Sequence, residues 1–166
     1  MLHIDSREKV NHMAKGSKPL SRPSKPTDMP ISGWQSIARS HLTSAEILAN
    51  HMPPQPHEAL YLAGFALEVA LKGKTLQEGI AIEPTHDLEE LLVRSQILRE
   101  AKRTTIPTSA ETALGLPAGT TYWDLFDIVL SAWFNELRYS VGSATPRAAV
   151  DFVSTVKELE GWLWTA

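Results

Sequence analysis

The chain is predicted to be all-α, an up-and-down bundle of four to five helices, and three observations predict it. No segment alternates apolar and polar residues with period two over a useful length. Apolar residues instead recur at helical spacing from Trp34 to Leu163. The stretch ALYLAGFALEVALK, residues 59–72, is apolar on every side, interrupted only by Glu68 and Lys72. It is too short to span a bilayer and too helix-prone for a strand, so it reads as a central helix covered by its neighbours.

The other elements follow from local signals. Ser32 is placed to cap a first helix running to about Asn50, with Trp34, Ile37, Ala38, His41, Ala45 and Leu48 on one face. Pro53, Pro54 and Pro56 end it, and the central helix follows to about Gly79. A third helix starts at Thr85 to Asp87, where Asp87 and Glu90 have capping-box spacing, and Leu88, Leu91, Leu92, Ser95 and Leu98 form its stripe. Residues 104–120 read as a loop with one short turn near Ser109 to Leu114. Thr121 and Asp124 open a fourth helix, expected to pass through Trp133 to about Tyr139. Gly142 breaks it, and Thr145-Pro146 begins a fifth, because proline is preorganised for the first helical position.

Charge divides the chain. Residues 1–30 hold six lysines and arginines against three acids and are net +3, whereas the remainder is net −6. With prolines at 19, 23, 26 and 30, residues 1–31 are expected to be a basic, flexible or disordered leader, and residues 32–166 the bundle. An acidic body argues against a broad nucleic-acid-binding face. The absence of cysteine excludes disulfides and thiolate metal sites. Without an apolar leader core or a run of about 20 apolar residues, no membrane association is expected and a cytoplasmic location is the default.

Polar constellations come in a definite order. Glu68 and Lys72 stand one turn apart on the central helix, followed by Thr85-His86-Asp87-Leu88 at a helix start and by WFNELRY at residues 133–139. A carboxylate on the most buried helix is expensive unless paired, and Lys72 is the local partner in the favoured order. LAGFALEVALK, THDL and WFNELRY, taken together and in order, resemble the HEPN family of small helical bundles over roughly residues 34–164. The resemblance implies an up-and-down bundle, commonly a homodimer with a groove between subunits. Family roles include ribonucleases of toxin systems and non-catalytic partners of nucleotidyltransferases or of other toxin and defence proteins, so a nucleotidyltransferase or an antitoxin is an expected kind of partner.

The ribonucleases of that family carry an arginine followed, after four to six residues, by a histidine. Here Arg138 is followed by YSVGSATPR, and no histidine occurs after His86. The same spacing at Arg7 and His12 lies in the leader and reads as chance. RNA cleavage needs an acid or base near neutrality, and histidine is the natural choice. The chain thus departs from the catalytic pattern at the deciding residue, and ribonuclease activity is not carried over.

Glu68 and Lys72 are read as a partly buried pair, with Arg138 a possible third member. The groove candidates are Glu68, Lys72, His86, Arg138 and Tyr139. Were the chain a divergent ribonuclease, Arg138 with Glu68, Lys72 and His86 would form its site. His86 is expected at the helix start, its ring bonded to backbone or to a neighbouring acid. No histidine pair has metal-ligand spacing, and neither a phosphate-binding glycine loop nor a serine nucleophile motif is present, so no metal or cofactor is expected. Trp162 and Trp164 are two apart on a helix and cannot share a face, which makes them dimer-interface candidates. The reading is a non-catalytic, dimeric module that binds a protein partner and/or nucleotide or RNA between its subunits.

Overall fold

In the computed structural model the described residues are 28–82, 84–133 and 144–166, and they form seven helices with no strand. These are α1 (Ile31–Asn50), α2 (Pro56–Gln77), α3 (Leu88–Arg94), α4 (Leu98–Ala101), α5 (Thr108–Leu114), α6 (Tyr122–Ala132) and α7 (Pro146–Leu163). The all-α class is as expected, but the count of four to five is not. The stripe from Leu88 to Leu98 breaks at Gln96, whose φ of +60° closes α3 and starts the separate turn α4. The expected turn in the 104–120 loop is a formed helix, α5, ended by Gly115 in the left-handed region.

The helix starts show which local signals acted. Asp87 accepts from the backbone N–H groups of Glu89 and Glu90, at 2.9 and 3.1 Å. Its box is one-sided, because Glu90 turns to Arg94 and the Asp87 N–H goes to Thr85 Oγ1. Thr121 and Asp124 form the complete reciprocal box at α6, and Thr145 caps α7 with Pro146 in its first turn. Ser32 does not cap α1. That helix starts two residues earlier with Pro30 at its cap, leaving Ser32 exposed in the first turn.

The core is built around α2, which buries residues on all sides between Ala59 and Thr75. It packs chiefly on α1 and α7, with α3 against it as well, and α7 also meets α1 and α6. Two glycines let indoles approach its backbone. A Cβ on Gly64 would stand 2.0 Å from Trp133 Nε1, and one on Gly73 would stand 2.8 Å from both Trp34 Cβ and Trp164 Cη2. Both positions therefore require glycine. Under α6 and α7, Trp162 stacks on Tyr122 with centroids 4.3 Å apart and meets the edge of Phe126.

Candidate functional site

The polar cluster foreseen on α2 forms, and it has three members among the described residues. Glu68 is buried at 2% side-chain exposure in the middle of the central helix. Its Oε1 accepts from Lys72 Nζ at 2.7 Å and lies 2.9 Å from His86 Nδ1. Lys72 reaches it because it stands one turn further along the same helix. His86 reaches it because the loop after α2 returns to the start of α3, where the Asp87 cap fixes the adjacent backbone. The carboxylate is deeper than either partner, since Lys72 is 13% exposed and His86 is 48% exposed.

The arrangement has definite chemical capacities. Glu68 is an orienting group, because its position keeps it from bulk solvent and its oxygen is committed to two donors. With Nδ1 hydrogen-bonded to the carboxylate, His86 Nε2 has no hydrogen-bond partner among the described residues, on a half-exposed ring. A carboxylate on one ring nitrogen fixes the tautomer and aim of the other. Among the described residues, no group of three or more histidines and acids is arranged to hold a metal ion. A shallow depression of about 450 Å³ beside α3 is lined by Asp87, Glu89, Glu90, Val93 and Arg94. Its three carboxylates make it a poor seat for a phosphate.

Arg138 and Tyr139, the remaining groove candidates, lie outside the described residues. The described chain before them ends at Trp133, which is buried against Gly64, one turn from Glu68 on α2. Both C-terminal tryptophans have partners within their own chain. Trp162 lies in the core on Tyr122, while Trp164 is half-buried against Gly73 and donates from Nε1 to Glu160 Oε1 at 2.6 Å. Although two apart on the helix, both are thus accommodated within one chain, one in the core and one at its edge. Helix α7 ends in Trp164 and a turn, which brings that indole back onto α2.

Two features escaped the sequence reading. Glu160, not among the candidate residues, is 5% exposed and held by Trp164 and by Arg39 at 3.6 Å. The Gly64 contact with Trp133 was also missed, although a glycine inside an otherwise continuous apolar helix signals close approach. His41 sits edge-on to Phe65 with centroids 4.9 Å apart, and burial holds its pKa below the ordinary histidine value.

Fold and site together define a small all-α bundle whose central helix carries a buried Glu-Lys pair joined by a histidine from the next helix start. The chain matches the HEPN domain over residues 31–163 and belongs to the HEPN family. No curated protein and no solved structure gives a significant match. No helix among the described residues is long and apolar enough to cross a membrane.

Proposed function

We propose that this chain is a non-catalytic HEPN module that acts as a dimer and binds a protein partner and/or nucleotide or RNA between its subunits. The observation that carries the reading is the closed charge cluster. The buried Glu68 oxygen is taken up by Lys72 and His86, an arrangement that fixes the α2–α3 connection and needs no substrate to be satisfied. The sequence supports it, because Arg138 lacks the following histidine that the family's ribonucleases resemble one another in having. Buried ion pairs more often hold a fold in register than perform chemistry.

A second reading rests on His86. A histidine aimed by a buried carboxylate, with its other nitrogen unpartnered among the described residues, is the arrangement of a general acid or base. In a divergent ribonuclease it would replace the missing histidine and act with Arg138. The full chain, incubated with a mixed RNA pool beside Arg138→Ala and His86→Ala, separates the two. No cleavage by the parent, with a particle of twice the 18.3 kDa chain mass in light scattering, is expected. Cleavage by the parent that disappears in a well-folded His86→Ala would establish the enzyme instead.

A further inference from the structure

The cations of the described fold are distributed unevenly by partner. Arg39 faces Glu160, Lys72 Glu68, Lys74 Glu78, Arg94 Glu90, Arg147 Asp151 and Lys157 Glu46. Arg99, Lys102 and Arg103 have no carboxylate within ion-pair distance among the described residues, and all three are exposed. They stand together at α4 and the turn that continues it, where the Lys102 N–H reaches the Leu98 carbonyl and those of Arg103 and Thr104 reach that of Glu100. Spacings of three and four residues put them on one face. In an acidic body, three unpaired cations at one place are a local exception.

Beside them is an aromatic ring in a fixed frame. Thr105 bridges Thr121, the Ile106 N–H bonds to the Thr120 carbonyl, and the Tyr122 N–H bonds to that of Thr104. That clasp ties the α4 turn to the start of α6 and sets half-buried Trp123 against Lys102, whose Nζ is 4.8 Å from the ring centroid. We propose that Arg99, Lys102, Arg103 and Trp123 form a docking surface for single-stranded nucleic acid, with phosphates on the cations and a base on the indole. In the free protein Lys102 covers the ring. A strand draws the ammonium to a phosphate and a base takes its place, exchanging an exposed cation–π contact for the stronger stacking of a base.

The neighbouring acids are compatible with this. Asp124 is committed to the N–H and Oγ1 of Thr121, both at 2.7 Å, and Glu100 accepts from Thr104 Oγ1 at 3.0 Å. Asp127, one turn beyond Trp123, repels a backbone running further along α6 and so limits the surface to the α4 end. An acidic peptide would use the cations and leave the ring idle, which is why the indole favours a nucleic acid. The surface goes beyond the function proposed above and is separate from the Glu68 cluster. Trp123 is ten residues before Trp133, about 15 Å along the helix from the end that meets α2.

The test measures anisotropy of a labelled 12-nucleotide mixed-sequence RNA, and of DNA of the same sequence, against the full chain at several salt concentrations. Parent binding is expected to weaken about tenfold in Arg99→Gln/Arg103→Gln. The dependence of log K on log salt should flatten by about 1.4, at roughly 0.7 per lost phosphate contact on a single strand. Arg147→Gln/Lys157→Gln, an equal loss of charge elsewhere on the surface, should change neither. Tryptophan emission should be quenched by the strand in the parent, and less so in Trp123→Phe. The proposal is overturned if the parent does not bind, or if the double variant binds like the parent. It is equally overturned if a poly-glutamate peptide competes as well as the strand, or if binding is lost in Lys72→Gln while the double variant keeps it.

Discussion

Replacing Lys72 by methionine should destabilise the fold more than replacing Glu68 by leucine, although the two residues share one hydrogen bond. The difference comes from depth. Lys72→Met leaves a carboxylate at 2% exposure with its 2.7 Å partner gone and only His86, at 2.9 Å, beside it. Stranding a buried charge costs about 3–5 kcal/mol. Glu68→Leu strands the ammonium instead, but Lys72 is 13% exposed on a flexible stem that can extend into water. Its cost should be about 1–3 kcal/mol, the range for an unpaired polar group that partly rehydrates. The double variant removes both charges and fills the site with apolar volume, so it should lie within about 1–2 kcal/mol of the parent. Urea unfolding followed by circular dichroism gives the three values, provided the slope is unchanged across the set. In a domain of this size each kcal/mol should also move the melting temperature by about 2–4 °C. Strict additivity in the double variant, or a larger loss from Glu68→Leu than from Lys72→Met, would refute the argument from burial.

Two further outcomes follow from packing and titration. Gly64→Ala should cost about 1–2 kcal/mol net, since the overlap with Trp133 outweighs the gain of about 1 kcal/mol in helix propensity. Gly161→Ala on α7, where a Cβ meets nothing within 4 Å, should stabilise by up to about 1 kcal/mol, and thermal melts compare the pair directly. His41 is kept neutral by burial, so the unfolded chain takes up its proton more readily than the folded one. Stability should therefore fall as pH drops through 6.5 toward the lowered folded value, and His41→Gln should flatten that slope in unfolding measured from pH 7 to 5.

The parts of the fold visible in sequence are those set by local chemistry. Asp87, Thr121 with Asp124, and Thr145 with Pro146 mark their helix starts in the structure, because each supplies an acceptor for N–H groups two or three residues on. Glu68 and Lys72 were legible for the same reason, since their contact lies within one turn. Ser32 misled because Pro30 also fits a helix entrance and set the start first. The break at Gln96 was hidden by an apolar stripe that continues across it, the two short helices keeping one side toward the core. Contacts distant in sequence carried no local mark. Trp164 against Gly73 and Trp123 beside Lys102 depend on how α7 and the 104–122 clasp fold back, which spacing alone does not fix.

The meeting of Trp34 and Trp164 over Gly73 has a topological consequence. Trp34 stands in the first turn of α1 and Trp164 closes α7, and both contact the same backbone position of α2. The bundle therefore begins and finishes at one pole, and its chain describes a nearly closed circuit. Segments attached before α1 and after α7 would emerge side by side and could be handled together by a single partner. A short linker across that pole should also allow the chain to be reopened at an exposed connection such as 51–55, giving a circular permutant with the same core.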